Sequence, residues 1–214
     1  MQLDALKFVA VEGAIGSGKT SLARKLAERF RAELLLERPA DNPFLERFYA
    51  DRERHALATQ LTFLFQRADQ MRVLAQRSIF QQPTISDYLL DKDPIFARLT
   101  LADEEFSLYS KIYEHLAPSS PSPDLLIVLQ ASLPTLLARI ERRGLPYERS
   151  IDAEYLTRLN DSYVRHFHHY ERAPVLFVNT EGLNFVENAS HLDLLIEKIV
   201  EMRGARAFFS IAQA

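Results

Sequence analysis

Residues 13–20 read Gly13-Ala14-Ile15-Gly16-Ser17-Gly18-Lys19-Thr20, an octapeptide of the form G-x-x-x-x-G-K-[ST]. The apolar run Phe8-Val9-Ala10-Val11 precedes it, and a helical pattern from Lys19 to Phe30 follows it. Strand, glycine loop and helix in that order give the octapeptide its chemical meaning. Glycines let successive backbone N–H groups turn inward around phosphate oxygens. The start of the helix adds the positive end of its dipole. Lys19 is expected to reach the β- and γ-phosphates of a nucleoside triphosphate, and the Thr20 hydroxyl to bind Mg²⁺. Ser21 completes the expected nucleotide-binding segment.

A loop of this kind needs a parallel sheet behind it, and the remaining sequence supplies one. Apolar runs at Leu34–Leu36, Leu125–Leu129 and Val175–Val178 read as strands buried on both faces, and Pro83–Ser86 as a fifth. Helical patterns lie between them. Asp41-Asn42-Pro43 looks like a helix start, Ala58 to Arg77 is helical, and Asp103 opens another helix. Ser132 caps a helix that Gly144 ends; Asp152–Glu171 and Ser190–Arg203 complete the set. Pro118-Ser119-Ser120-Pro121-Ser122-Pro123 reads as a surface loop, because a core strand follows at once. Strand–helix alternation makes an α/β doubly wound sheet, and 214 residues fit one domain over the whole chain. The tail Ala207–Ile211 is apolar and has two places to dock, the core or a partner subunit.

Composition narrows the function classes. The net charge is −3 with acids and bases interspersed, so no nucleic-acid-coating surface is expected. The absence of cysteine excludes disulfides, thiolate metal sites and cysteine nucleophiles. No apolar stretch approaches the roughly 20 residues a membrane helix needs, and Met1–Lys7 does not resemble a signal peptide. The cytoplasm is the expected setting. His166, His168 and His169 read as a helix face and not as a metal site.

Ligands of a parallel sheet collect beyond the carboxyl ends of its strands. Glu37 follows the second strand and Asp87 the third. Phosphorylating a hydroxyl needs a proton acceptor and a holder for the cation; Glu37 suits the first role and Asp87, with Thr20, the second. The plainer reading is that both cap adjacent helices, or that Glu37 pairs with Arg38. Arg139, Arg142, Arg143 and Arg149 cluster around Gly144-Leu145-Pro146, and such a segment can close over a triphosphate. Arg139 and Arg143 are the expected phosphate-facing members.

These pieces, in this order, resemble the deoxynucleoside kinase family, especially its bacterial deoxyadenosine/deoxyguanosine branch. The likeness runs from about Phe8 to about Tyr170. It rests on the phosphate loop; on Glu37 with Asp41-Asn42-Pro43-Phe44-Leu45 and Phe48-Tyr49; and on Gln60 with Arg67. Ser86-Asp87-Tyr88 through Ile95-Phe96-Ala97, Lys111-Ile112-Tyr113, Ala131–Thr135 and Arg139–Gly144 extend it. The resemblance implies a P-loop kinase fold, with a five-stranded parallel sheet flanked by helices and an arginine-bearing lid. It also implies roles. Glu37 faces the nucleoside 5′-hydroxyl, Gln60 pairs with the base edge, Arg67 and Asp93 form a charged couple around the base, and Phe96 stacks on it. Tyr49 and Glu148 hold the 3′-hydroxyl, and the Tyr49 ring crowds a ribose 2′-hydroxyl. Where many members carry an arginine after the metal-side acid, this chain has Tyr88, so that charge is missing or comes from Arg38 or the lid.

The implied reaction is transfer of phosphate from ATP or another nucleoside triphosphate, with Mg²⁺, to the 5′-hydroxyl of a deoxynucleoside for salvage. Deoxyadenosine and deoxyguanosine are the first expectation, and deoxycytidine stays open. Two other functions remain: a nucleoside monophosphate kinase, for which only Arg38, Arg54 and Arg67 are placed to offer charge, and a nucleotide-holding switch without turnover. The family also implies a homodimer. Leu61, Leu64, Phe65, Ala68 and Met71 form one apolar stripe with Phe63, Val73 and Phe80 off it, a surplus that a helix packed on one sheet does not need.

Overall fold

The computed structural model describes residues 5–76, 82–117 and 120–211. Its centre is a parallel sheet built from β1 (Phe8–Gly13), β2 (Glu33–Leu35), β3 (Thr84–Ser86), β4 (Leu125–Gln130), β5 (Val175–Asn179) and β6 (Arg206–Phe209). The strand order is β2-β3-β1-β4-β5-β6. Strand β1 sits between β3 and β4, so its carboxyl end opens at mid-sheet, where ligands of such folds bind. Eight helices of the described chain connect the strands: α1 (Lys19–Phe30), α2 (Leu45–Ala50), α3 (Arg52–Ala75), α4 (Asp93–Thr100), α5 (Asp103–Leu116), α6 (Leu133–Arg143), α7 (Ala153–His168) and α8 (Ala189–Glu201).

Side-chain alternation along β1 sends Val9 and Val11 into a core shared with α1 and α8, through Leu22, Leu26, Leu195 and Ile199. Phe8 and Ala10 point to the opposite core, which Leu64, Met71, Leu159 and Phe167 fill from α3 and α7. Both faces of the strand are therefore buried, which is why its sequence reads as an unbroken apolar run. No helix among the described residues is long and apolar enough to cross a membrane.

The sheet has six strands, one more than the sequence suggested. The tail is that strand: β6 pairs in parallel with β5, Ala207 opposite Leu176 and Phe209 opposite Val178. Ala207 and Phe209 pack inward, while Arg206 and Phe208 face out and Phe208 is 63% exposed. As an edge strand of four residues, β6 buries only alternate side chains, and its apolar run fits docking on the core as well as pairing in the sheet.

Other boundaries shift for local reasons. The Asp41-Asn42-Pro43 segment belongs to a short 3₁₀ turn, Pro39–Asp41, and its exit; the helix proper begins at Leu45. Helix α3 starts six residues earlier than Ala58, where Asp51 accepts a hydrogen bond from Arg54 N at 3.3 Å, and it ends at Ala75. Arg77, Phe80, Pro118 and Ser119 lie outside the described residues. Helix α4 was not read from the sequence at all. It is eight residues long, has Pro94 in its first turn, and directly follows the 3₁₀ turn Leu90–Lys92.

Candidate active site

The phosphate loop leaves β1 through Gly13 and enters α1 through Gly18. Gly16 holds φ +86°, and a Cβ there would sit 2.7 Å from the Leu136 carbonyl oxygen of α6, so only glycine fits. Gly18 caps α1 in the left-handed region with no side-chain hydrogen bond, which leaves the first-turn N–H groups without a side-chain acceptor. Lys19 bends back over the loop, and its Nζ donates to Gly13 O at 2.8 Å and Ala14 O at 3.1 Å. Burial lowers the Lys19 ammonium to about pKa 8, with Lys92 adding to the effect and Glu12, Glu37 and Asp87 opposing it. Ser21, in the first turn of α1, lines one cavity with Ser17.

Thr20 and Asp87, far apart in sequence, meet here. Thr20 Oγ1 donates to Asp87 Oδ2 at 2.5 Å, while Asp87 Oδ1 accepts from Glu37 N at 2.8 Å. Asp87 lies directly beyond β3, as its strand-end position implied. A hydroxyl and a carboxylate side by side are hard oxygen donors, the kind that Mg²⁺ takes from proteins that leave its other positions to phosphate and water.

Next to them a cavity of about 160 Å³ gathers most of the remaining candidates. Gln60 and Arg67 enter from α3, Tyr49 from α2, Phe96 from α4, and Glu148 from the short 3₁₀ turn Pro146–Ser150. Gln60 is buried, and its amide has no hydrogen-bond partner among the described residues. Phe96 meets Tyr163 edge-on with ring centroids 6.0 Å apart, and Tyr49 stacks on Tyr147 at 5.8 Å. Burial, with Tyr155 and Glu148 nearby, pushes the Tyr49 phenol above its usual range and keeps it a neutral hydroxyl.

Glu37 lies at the head of this cavity inside a charge cluster. Arg67 Nε donates to Glu37 Oε1 at 2.6 Å, and its terminal nitrogens reach Glu37 and Asp93. Lys92 Nζ donates to Glu37 Oε2 at 2.9 Å. Burial alone would raise the Glu37 carboxyl; Arg67 and Lys92 more than offset it and hold Glu37 well below the usual carboxylate range. The sequence reading missed Lys92, which is 1% exposed and lies over the rings of Tyr88 and Phe96. It also missed Phe63, over which the Arg67 guanidinium lies at 4.7 Å. Tyr88 itself is buried and donates to Gln70, while Arg38 is 72% exposed and lies 4.0 Å from Asp41. Lys92, four residues after Tyr88, is thus a second cation beside Glu37, with Arg67 the first.

The two lid arginines have different places. Arg139 donates to Ser17 O at 3.2 Å and Thr180 Oγ1 at 2.9 Å, which ties α6 to the phosphate loop. Arg143 forms a two-armed pair with Glu148, at 2.9 and 2.6 Å, and it lines both the acceptor-side cavity and a larger one of about 630 Å³. That larger cavity runs from Gly16 and Ser17 past Arg142 to Thr180 and Asn184. Glu148 is therefore held by Arg143; it has no hydrogen bond to Tyr49 among the described residues, although both line one cavity. Arg149 is exposed.

Two cavities that share a glycine loop, one on each side of it, suit a donor and an acceptor. A family model described as deoxynucleoside kinase matches residues 9–202. The chain belongs to the deoxynucleoside kinase family. This kinase is similar to a deoxyguanosine kinase of Bacillus subtilis, 35% identical over 205 residues that cover 94% of this chain and 99% of that one. It is also similar to a deoxyadenosine kinase of Lactobacillus acidophilus, 30% identical over 92% of this chain and 96% of that one. Among solved structures, a deoxyadenosine kinase from M. mycoides with bound dATP has the same fold, with a TM-score of 0.78 and 25% identity. That match covers 90% of this kinase and 99% of the solved chain. As a member of the family, this kinase is a phosphotransferase.

Proposed function

We propose that this kinase moves the terminal phosphate of ATP, or of another nucleoside triphosphate, to the 5′-hydroxyl of a purine deoxynucleoside. Deoxyguanosine and deoxyadenosine are the first acceptors, as the names of the relatives suggest, and deoxycytidine is a third. The single observation that carries this reading is the cavity between Glu37 and Gln60. Its walls include a carboxylate together with Lys19 and Thr20 of the phosphate loop, and, among aromatic rings, an amide without a hydrogen-bond partner among the described residues. A nucleobase offers paired donors and acceptors to such an amide and a flat face to Phe96.

In this reading the donor phosphates lie along residues 13–21, with Lys19 on the β- and γ-phosphates and Arg139 and Arg143 closing from α6. Thr20 and Asp87 would hold Mg²⁺, which shields the phosphate charge when bound. Glu37 accepts a hydrogen bond from the 5′-hydroxyl. A carboxylate held this acidic is a weak base, yet the transition state of phosphoryl transfer is loose and the hydroxyl gives up its proton late. The carboxylate then aims the oxygen and takes its proton late, once the hydroxyl has become strongly acidic. Tyr49 and Glu148 hold the 3′-hydroxyl, with Arg143 released to the phosphates as Glu148 takes the sugar. Arg67 and Asp93 brace the base end.

A neutral acceptor is favoured over a nucleoside monophosphate. Arg67 is already paired with Glu37 and Asp93, Lys92 with Glu37, and Arg143 with Glu148 or, once Glu148 takes the sugar, with the donor phosphates. A second phosphate in this cavity would find each of these cations engaged. The deciding assay follows ADP release with Mg-ATP and each of the four deoxynucleosides, then adenosine and guanosine. Purine deoxynucleosides should give kcat/KM at least about 10-fold above the ribonucleosides, because an added hydroxyl meets the Tyr49 ring. Equal use of adenosine and guanosine would contradict the sugar assignment.

We also propose a homodimer through α3 and α5. Phe65 and Val73 on α3, and Leu108 on α5, are each at least half exposed, at 50%, 58% and 50%. A two-fold axis buries such a patch against its own copy. Light scattering at micromolar concentration should give about 49 kDa, twice the chain mass of 24.6 kDa. A single species at the chain mass would remove the dimer.

A further inference from the structure

Glu12 sits at the foot of the phosphate loop, fully buried, and lines neither cavity. It follows Phe8 and Ala10 on one face of β1, so strand alternation alone drives a carboxyl into the interior. Such a group is costly unless its oxygens are satisfied. Each has a partner. Oε1 accepts from Leu89 N at 2.6 Å, and Oε2 accepts from Gly13 N at 3.3 Å.

The two N–H groups belong to different parts of the site. Gly13 opens the phosphate loop, whereas Leu89 lies two residues past Asp87 and just before the turn that carries Lys92. The ladder between β1 and β3 ends at Ala10 opposite Ser86. Beyond it, among the described residues, two hydrogen bonds span the gap between these segments: Thr20 to Asp87, and Leu89 to Glu12. A cation bound by Thr20 and Asp87 would take the oxygens of the first. The second uses none of those oxygens, so it is independent of what Thr20 and Asp87 bind.

We propose that Glu12 is a positioning residue for phosphoryl transfer: its carboxylate holds the phosphate loop and the Asp87–Lys92 segment at a fixed separation when the site is loaded. This rests on the kinase reading above. The neighbouring charges are arranged around it. Lys92, on the turn after β3, and Lys19, on α1, act on Glu12 as cations, Glu37 acts on it as an anion, and its own charge acts on the phenols of Tyr163 and Tyr170. Burial raises the Glu12 carboxyl to about pKa 7, and Lys92 and Lys19 draw it part of the way back. The raised value sets the sign. Below about pH 7 the carboxyl carries a proton, one oxygen becomes a donor, and the tie to one N–H group is lost. Above it both oxygens accept, so turnover rises with pH through neutrality.

The test is the pH profile of kcat for the wild-type enzyme and Glu12→Gln, with saturating Mg-ATP and deoxyguanosine, from about pH 6 to about pH 8.5. Glutamine keeps the shape but offers one accepting oxygen. The expected result at the upper end is a kcat lower by on the order of 10²-fold, with nucleoside KM little changed. The acid limb near neutrality, present in the wild type, should be absent from the variant. A folded Glu12→Gln enzyme with wild-type kcat and the same acid limb would overturn the proposal. Should that variant not fold, the wild-type profile decides: a limb near neutrality supports the tie, and a flat kcat across the range overturns it. Failure of the kinase reading looks different, since the wild-type enzyme would then show no acceptor-dependent turnover.

Discussion

Replacing Lys19 by alanine should leave a folded protein whose turnover is lower by roughly 10³-fold or more. The fold depends little on this side chain, because among the described residues its ammonium bonds only to Gly13 O and Ala14 O of its own loop. The chemistry depends on it heavily, because charge spreads onto the transferring phosphate in a site where burial strengthens every electrostatic contact. Circular dichroism would check the fold, and ADP release the rate. The depressed Lys19 pKa adds a pH signature. The free enzyme loses that positive charge as pH rises through about 8, so kcat/KM for the nucleotide should fall on the alkaline side. Near-wild-type turnover in the alanine variant would disprove the loop assignment.

Glu37→Gln should lower kcat by roughly 10²-fold or more, with nucleoside affinity changed far less. The amide keeps the size and one accepting oxygen but removes the charge that Arg67 and Lys92 converge on. Breaking a buried ion pair from one side leaves an uncompensated charge and costs about 3–5 kcal/mol in general. Here Arg67 keeps Asp93 as a partner, and Lys92 is the cation left bare. A thermal melt of the variant therefore belongs beside the kinetics. An unchanged kcat with a large rise in nucleoside KM would assign Glu37 to holding the acceptor and not to the reacting hydroxyl.

The parts of the site that the sequence disclosed are those written in local order. Strand, glycine loop and helix are contiguous, so residues 13–20 could be assigned before any packing was known. Glu37 and Asp87 were legible because strand ends in a parallel sheet point to one edge. Gln60, Arg67, Phe96, Tyr49 and Glu148 came from the family resemblance, and they do line one cavity. What stayed hidden depends on long-range pairing. Lys92 meets Glu37 across 55 positions, and Glu12 meets Leu89 across 77. Helix α4 was invisible because it is short and directly follows a tight turn. With its start unknown, nothing indicated that Lys92 turns inward while Arg98, six residues on, stays exposed. Likewise the pairing of Arg143 with Glu148 cannot be read from five-residue spacing alone, since a 3₁₀ turn and not a helix brings them together.

The central claim is transfer to the hydroxyl of a nucleoside, and labelled ATP tests it most directly. The purified kinase, with Mg²⁺ and γ-³²P-ATP, is given deoxyguanosine in one reaction and deoxyguanosine 5′-monophosphate in another. The account predicts label on the 5′-oxygen of deoxyguanosine, released as the monophosphate, and negligible label passing to the monophosphate acceptor. Label found only in a diphosphate product, or only in free phosphate without dependence on either acceptor, would contradict it.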